Sequence, residues 1–283
     1  MIKAALNNKS RRALPLREAL RRSGFLLCAL FAVLLSGSGR VVPVYALPAP
    51  DSEALPSFFD SRENGVSCVI RSQGKLNTCW ALEAALLPER DMVFSADHIV
   101  YQNGFTADPE DVGDSHILMA YFSGWFGPVL ETDDPYADGA SNEEAPVASH
   151  VMQMRLLDGE SMETYKKLIM QCGGVQTSLY MEKKLTADEL DYYRADTAAF
   201  YYPEKTAVSH DVLLIGWDDA YPRENFKLLP PRDGAWICQN TWGEDFGDEG
   251  IFYVSYADPN IAQTGLSYTE VNPIKAVYTN FTC

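Results

Sequence analysis

The pattern of apolar residues changes along this chain, and the change restricts the folds that it can adopt. Helical spacing dominates the first half, at 80–87, 95–101 and 114–122, and one more helix is predicted at 161–171. The second half is mostly strand-like, with short apolar runs at 175–181, 212–217, 236–240 and 251–256. Helices followed by a group of strands predict an α+β fold.

Caps and helix-breaking residues set the expected helix ends. Ser95 is an N-cap residue for the helix at 95–101, and Gly173-Gly174 stops the helix at 161–171. Pro88 is expected to kink or end the helix after Cys79, because proline removes a backbone hydrogen bond. The acidic stretch 133–146 contains glycine and two prolines, and it predicts a long loop between two lobes.

The first 46 residues have the composition of a secretory signal peptide. A basic start precedes the apolar run 25–35, and Val44-Tyr45-Ala46 offers small residues for cleavage. The run is too short for a comfortable membrane span, although an uncleaved anchor is the alternative. We expect a signal at 1–46, a leader at 47–54, and a secreted, extracellular or cell-surface protein without stable membrane insertion after cleavage.

Removal of the signal leaves a strongly acidic chain. The sequence has 23 basic and 39 acidic residues, of which eight and one lie in residues 1–46, so the mature net charge is −23. Nucleic acid is not expected as a partner of such a chain. A cationic peptide or surface fits the charge, and so does a simpler role in keeping a secreted protein soluble.

The cysteines do not indicate a metal site. Five remain after the signal, namely Cys68, Cys79, Cys172, Cys238 and Cys283. An odd number in a secreted chain leaves at least one thiol unpaired. No pair has metal-ligand spacing, and the common nucleotide-binding, zinc-protease and serine-hydrolase motifs do not occur in the sequence. We therefore expect no metal or cofactor.

Cys79 stands directly before an apolar helical run, and Gln73 lies six residues earlier. A helix N-terminus favours thiolate over thiol, and thiolate is the nucleophilic form of cysteine. The Gln73 amide can donate a hydrogen bond to a developing oxyanion. By itself, a cysteine at this position is more often a small core residue than a nucleophile.

His210 and Asn240 can supply the other groups that a cysteine nucleophile needs. His210 precedes the strand at 212–217, and it is the candidate base. Asn240 ends the next strand, and its amide oxygen can accept the imidazole N–H and fix the ring, while Trp242 can cover that bond. The remaining histidines, His98, His116 and His150, are expected to be structural or surface residues.

Taken together, these motifs resemble the papain-like cysteine peptidases, and most of all a bacterial secreted branch of that family. The resemblance runs from about Leu55 to Tyr256. The matching blocks are Leu55-Pro56, Phe59-Asp60-x-Arg62, Gly65 through Gln73-Gly74, Cys79-Trp80-Ala81, Ser95-x-x-His98-x-Val100, Glu131-x-Asp133-x-Pro135-Tyr136, His210-x-Val212, Gly216-Trp217-Asp218, Trp236-Ile237-x-x-Asn240-x-Trp242-Gly243 and Gly247-x-x-Gly250.

The resemblance implies a papain-like two-lobed fold with a cleft between the lobes. The helical lobe at 55–150 would carry the nucleophile, and a β-barrel-like lobe at 151–283 would carry the base. It implies Cys79 as nucleophile, His210 as general base and acid, Asn240 as the residue that orients the imidazole, and Gln73 with the Cys79 backbone N–H as oxyanion donors. The implied function is a secreted cysteine endopeptidase that acts on peptides or proteins, and we expect a monomer.

The chain departs from the family pattern around the nucleophile. The family signature Cys-Gly-(Ser/Ala)-Cys-(Trp/Tyr) reads Leu76-Asn77-Thr78-Cys79-Trp80, so only the nucleophile and the tryptophan are retained. The cysteines usual in the family are absent at Leu76 and at Gln102, which indicates the loss of a disulfide. The glycine pair that contacts the substrate backbone is reduced to Gly113.

Gly113, Asp211 and Trp242 are the predicted substrate-binding residues. In the family, the position of Asp211 holds a small apolar residue that lines the pocket for the second substrate residue before the cut. Neighbouring strand residues point to opposite faces, so Asp211 should point away from His210 towards that pocket. A carboxylate there would favour Arg or Lys in the substrate. The alternative is that Asp211 faces solvent and the pocket is built elsewhere.

Two other functions remain open at this point. The altered loop before Cys79 and the reduced glycine strip are compatible with a catalytically weak adhesin or binding module. The same chemistry would also serve an amidase or transpeptidase that acts on cell-wall peptides.

Overall fold

The computed structural model describes residues 54–66, 68–84, 92–105, 108, 110–137, 139–182 and 190–274, all within the unit Tyr45–Cys283. The predicted signal peptide, Pro88 and all of the leader except Ala54 lie outside the described residues. Within the described ranges, no helix has the length and apolar character needed to cross a bilayer.

The helices begin where capping side chains satisfy their first backbone N–H groups. They are α1 (Cys79–Ala84), α2 (Ala96–Gln102), α3 (Ser115–Ser123) and α4 (Met162–Cys172). Ser95, Asp114 and Ser161 accept hydrogen bonds from the first turns of α2, α3 and α4. Gly173 ends α4 with a φ of 83°, a conformation that glycine adopts without strain. The predicted helices, the Ser95 cap and the glycine stop are therefore confirmed.

The nine strands found among the described residues form a single sheet. They are β1 (Phe58–Asp60), β2 (Ser149–Asp158), β3 (Val175–Leu179), β4 (Tyr193–Arg194), β5 (Ala199–Phe200), β6 (His210–Asp218), β7 (Ala235–Gln239), β8 (Ile251–Ser255) and β9 (Thr264–Pro273). The strand order is β2-β9-β3-β6-β7-β8-β5-β4, and β1 pairs with β6. The long strands pair antiparallel, and only the short β5 runs parallel to its neighbour β8. The α+β prediction is confirmed.

The sheet is open, which corrects the expectation of a barrel-like second lobe. Strands β2 and β4 lie at its two ends, and no pairing among the described residues joins them. Sequence analysis also missed β2 and β9, which pair from Ser149↔Pro273 to Asp158↔Thr264 with two register shifts. Exposed and buried residues in β2 do not alternate regularly, so the strand has no clear period of two.

Two hydrophobic clusters place α1 against the sheet. The first packs α4 on β3, β6, β7 and β8 around Trp217 and Trp236. The second packs α1, α2 and α3 around Trp80 and Phe122, and it extends to Leu266 and Tyr268 on β9. Helix α1 also contacts β6, the strand that begins with His210. The predicted boundary between two lobes, after residue 150, stays a prediction, and it falls within strand β2.

Candidate active site

Cys79 is the first residue of α1, as predicted, and it is buried. Burial raises the pKa of Cys79 to about 12, and the Asp211 carboxylate adds to the rise, while backbone N–H groups of Asp211 and Trp80 oppose it. The backbone N–H of Trp80, in the first turn of α1, thus favours the thiolate as expected, and burial opposes it. A nearby cation would favour the thiolate further, because an opposite charge favours the ionised form of a buried group.

His210 and Asn240 form the pair that the motifs predict. His210 Nε2 lies 2.7 Å from Asn240 Oδ1, and the Thr241 backbone N–H lies 2.7 Å from the same Asn240 atom. An atom approached by a backbone donor must be the acceptor oxygen of the amide. His210 Nε2 therefore donates its proton to Asn240, and in the neutral ring Nδ1 is the nitrogen that can accept a proton.

Trp242 covers this hydrogen bond. Its indole lies 4.9 Å from the His210 ring, measured between centroids, and Phe246 packs edge-on against the indole at 5.0 Å. His210 and Asn240 are both buried, with 6% and 0% of their surface exposed. A hydrogen bond shielded from water in this way is stronger than an exposed one.

The candidate nucleophile lies close to the segment that carries the candidate base, where α1 contacts β6. The backbone N–H of Asp211 lies near the Cys79 sulfur and acts to lower the pKa of its thiol, and that N–H belongs to the peptide unit that joins His210 to Asp211. Cys79 is thus held beside the chain segment that carries the candidate base. The structure brings together Cys79, His210 and Asn240, which are separated by 131 and 30 residues in the sequence.

Gln73 is fixed by its neighbours with its amide group beside the same loop. Its Oε1 accepts a hydrogen bond from Thr241 Oγ1 at 2.7 Å, and its Nε2 donates to the Leu76 carbonyl at 2.6 Å. The NH2 group has two donor hydrogens, so one remains for another acceptor. Thr241 therefore sets the orientation of the predicted oxyanion donor.

Gly113 packs directly on the ring of Trp80, the residue after the candidate nucleophile. A Cβ atom at position 113 would lie 2.2 Å from the Trp80 ring, so a side chain there would displace the indole. This contact explains why position 113, the one position of the family's glycine pair that is kept here, holds a glycine.

Asp211 is half-buried, and its carboxylate is held by two side chains of β3. Its Oδ1 accepts from Ser178 Oγ at 2.6 Å and its Oδ2 accepts from Gln176 Nε2 at 3.0 Å. Burial raises the pKa of Asp211, and these two hydrogen bonds act against that rise. Gln176 also donates to the Trp80 carbonyl at 3.1 Å, so the same amide ties α1 to the aspartate. Sequence analysis did not identify Gln176 or Ser178.

The other histidines have structural surroundings, as predicted. His98 Nδ1 lies 2.7 Å from the Tyr121 hydroxyl, and burial lowers the pKa of His98. His116 is exposed on α3, and His150 stacks on Trp125 with 4.1 Å between ring centroids. Among the residues that the structure describes, no group of histidine, cysteine and carboxylate side chains has the arrangement of a metal site.

Comparison with known proteins identifies the family of this chain. The family described as "Papain family cysteine protease" matches residues 55–272. The chain belongs to the papain family.

Papain-family relatives share modest identity with this chain. "Cysteine proteinase 15A" of Pisum sativum is 25% identical over 235 residues, which cover 75% of this chain and 62% of that protein. A "Viral cathepsin" of Lymantria dispar multicapsid nuclear polyhedrosis virus is 26% identical over 211 residues, covering 70% of this chain and 54% of that protein. The chain therefore spans less than two thirds of the length of these relatives.

Solved papain-family structures include a bacterial protein with the same fold. A clostridial cysteine protease, Cwp84, superposes with a TM-score of 0.67 at 27% identity, covering 78% of this chain and 59% of that chain. A second structure, of the cysteine protease and lectin-like domains of Cwp84, gives 0.68 at 26% identity, covering 80% and 54%. The predicted papain-like fold and its bacterial branch are confirmed.

Glu83 is a buried acid that the papain-family motifs did not reveal. It lies one turn after Cys79 on α1, is 1% exposed, and neither carboxyl oxygen has a hydrogen-bond partner among the described residues. Burial raises the pKa of Glu83 well above its ordinary value, Asp211 adds to the rise, and Arg71 opposes it. The folded state therefore holds this proton more tightly than the unfolded state does.

We predict that Glu83→Met stabilises the protein in a pH-dependent way. A raised folded-state pKa means that Glu83 costs stability progressively as the pH rises above its ordinary value of 4.5. The variant should therefore have a higher Tm than wild type at pH 8, by about 2–4 °C for each kcal/mol gained, and the gap should narrow towards pH 5. Thermal denaturation across this range checks the prediction.

The matched control is Glu163→Met, because Glu163 is exposed on α4 and pairs with Lys167. The prediction fails if Glu83→Met lowers Tm at pH 8, or if both variants give the same pH profile.

Proposed function

We propose that this protein is a secreted cysteine endopeptidase that hydrolyses peptide bonds through a thioester. The observation that carries the proposal is the buried His210–Asn240 pair beside Cys79, with the imidazole proton assigned to Nε2. That tautomer presents an unprotonated Nδ1 as a base, which is the form that activates a cysteine. Membership of the papain family and the Cwp84 fold support the same reaction.

The first half of the reaction forms the thioester. His210 Nδ1 takes the proton from Cys79 Sγ, and the resulting imidazolium supplies the positive charge that a buried thiolate needs. The thiolate attacks the carbonyl carbon of the substrate and its oxygen becomes negative. The free hydrogen of the Gln73 amide and the Cys79 backbone N–H hold that oxygen. The carbon–nitrogen bond then breaks, and imidazolium gives its proton to the leaving amine.

The second half hydrolyses the thioester. Water enters the position left by the amine, and His210 Nδ1 removes one of its protons as it attacks the thioester carbon. Collapse of the second tetrahedral intermediate releases the carboxylic acid product and returns Cys79 to its starting state. Asn240 keeps the ring oriented through both halves, and Trp242 keeps water from that hydrogen bond.

Secretion is proposed from the sequence and one structural neighbour. The basic and apolar pattern of residues 1–46 supports a signal peptide. Cwp84 is described as a surface layer associated protein of Clostridium difficile. We propose a monomer, secreted or held at the cell surface, with a leader at 47–54 and lobes at 55–150 and 151–283.

A direct comparison of substrates tests the proposed function. The purified protein should release peptides from an unfolded protein such as reduced casein, and a peptidyl epoxide should stop the release. Release of stem peptides from purified cell wall without cleavage of casein would favour the amidase or transpeptidase. Cleavage of neither would favour the binding module.

Specificity is proposed to depend on Asp211. Its carboxyl group accepts a hydrogen bond from Ser178, which lies directly opposite Asp211 on β3. Each carboxylate oxygen uses one lone pair for Ser178 or Gln176 and keeps another for a substrate cation. We predict a preference for Arg or Lys at the second residue before the cut, and the preference should increase with pH as Asp211 loses its proton.

A substrate library that varies only this residue measures the preference. Wild type should cleave the Arg peptide at least about tenfold faster than the Leu peptide, as expected for a charge-assisted hydrogen bond. Asp211→Asn should remove the difference, while Ser178→Ala, which leaves the carboxylate in place, should keep most of it. A preference for Leu or Phe in both wild type and Asp211→Asn would contradict the assignment.

A further inference from the structure

The loop that joins Gln73 to Cys79 is held from outside by the hydroxyl group of Tyr136. This hydroxyl contacts Thr78 Oγ1 and lies 3.4 Å from the Gln73 carbonyl oxygen. A carbonyl can only accept, so the Tyr136 proton goes to Gln73 and Thr78 donates to Tyr136. Burial raises the pKa of Tyr136, which keeps this hydroxyl protonated. One side chain therefore touches the residue before the nucleophile and the backbone of the oxyanion donor.

Tyr136 is itself held in place by an ion pair. The Arg71 guanidinium lies over the Tyr136 ring at 5.4 Å, and its Nη2 pairs with Glu131 Oε2 at 2.7 Å. Glu131 Oε1 accepts the Tyr136 backbone N–H at 3.1 Å, and Arg71 Nη1 donates to the Phe94 carbonyl at 3.1 Å. The Arg71 side chain is 9% exposed, so these contacts are shielded from water. The ring therefore has a fixed position relative to the loop.

No covalent link among the described residues fixes this loop, since the described cysteines Cys68, Cys79, Cys172 and Cys238 are all free. Gly74 adopts a φ of 59° at the start of the loop, and the space around it is open. Hydrogen bonds must then hold the geometry, and those from Tyr136 reach both ends of the loop. A displacement of about 1 Å in a catalytic group can cost about 100-fold in rate.

We propose that Tyr136 is a positioning residue. Through Thr78 and Gln73, it holds the loop that joins Gln73 to Cys79 in the reactive geometry. This inference rests on the proposed peptidase function. It concerns the step in which negative charge develops on the substrate oxygen, because preorganised donors contribute mainly there. It assigns no contact between Tyr136 and the substrate.

Tyr136→Phe tests the proposal because it keeps the ring, and with it the Arg71 contact, and removes only the hydroxyl. We expect kcat for a peptide substrate to fall about tenfold with KM within about twofold, as for loss of a transition-state interaction. Binding of a peptide aldehyde, whose adduct places an oxyanion beside Gln73, should weaken by the same factor. Alkylation of Cys79 by iodoacetamide, which forms no oxyanion, should change by less than about twofold.

Thr78→Val supplies an independent measurement of the same contact. It should lower kcat by a similar factor, and Tyr136→Phe/Thr78→Val should be no worse than either single variant, because both remove one interaction. Tyr221→Phe is the matched control, since its hydroxyl donates to the Thr197 carbonyl away from the site, and it should keep wild-type kinetics.

Three results would overturn the proposal: unchanged kcat in Tyr136→Phe, alkylation that slows as much as hydrolysis, or additive losses in the double variant. Failure of the proposed function is a separate outcome, because wild type would then cleave no peptide. If wild type cleaves and Tyr136→Phe cleaves equally well, only the role of Tyr136 is wrong.

Discussion

Cys79→Ala is expected to abolish peptide hydrolysis. In the proposed mechanism the sulfur forms the covalent intermediate, and it lies beside the segment that carries His210. Loss of a catalytic nucleophile lowers kcat by at least about 10⁴-fold in enzymes of this type. The measurement is the rate of cleavage of a fluorogenic peptide by wild type and variant at equal concentrations of folded protein.

The control for this substitution is another cysteine. Cys68 is partly exposed, and burial raises the pKa of Cys68 to about 11, so it is a poor nucleophile at neutral pH. Cys68→Ala should therefore cleave the peptide at a rate close to wild type. Hydrolysis by Cys79→Ala at a rate comparable to wild type would end the assignment of the nucleophile.

His210→Ala is expected to be nearly as severe as Cys79→Ala. Burial holds Cys79 as a thiol, so its activation depends on proton transfer to the imidazole, and the two residues act as one unit. The double variant should consequently be no slower than either single variant. Asn240→Ala should cost less, because Asn240 orients the ring without moving the proton.

His116→Ala is the matched histidine control, because His116 is exposed on α3 and lies outside the site. It should leave kcat and KM unchanged. A His210→Ala variant that keeps more than about a tenth of wild-type kcat would show that another group accepts the Cys79 proton, since a general base contributes about 10²–10⁴-fold.

Local sequence patterns were sufficient to predict the helices and the central strands β3, β6, β7 and β8. The caps Ser95 and Ser161 and the stop at Gly173 act on their own neighbours in the chain, so their effects are visible in sequence. Cys79, His210 and Asn240 were identified because the motifs around them, which lie far apart in the sequence, resemble those of the papain-like peptidases. The order and openness of the sheet were not predictable in this way, because β2 lacks a regular alternation and pairs with β9 more than 100 residues later.

The supporting contacts of the site depend on side chains that meet only in the folded chain. Thr241 and Gln73 are 168 residues apart, and Tyr136 and Thr78 are 58 apart, so no periodic pattern links them. Glu83 left a signal that sequence analysis did not use: it is the one polar residue in the apolar run 80–87. A polar residue within a helix buried on all sides is itself buried, and here it lies close to the nucleophile.

Reaction with a peptidyl epoxide, followed by mass-spectrometric mapping of the modified residue, tests the central claim most directly. The epoxide alkylates a cysteine that is activated by a base in a peptide-binding cleft. The account predicts one adduct per chain, on Cys79, with complete loss of peptide hydrolysis and no adduct in Cys79→Ala. An adduct on Cys68, Cys172 or Cys238, or hydrolysis that continues after Cys79 is fully modified, would contradict it.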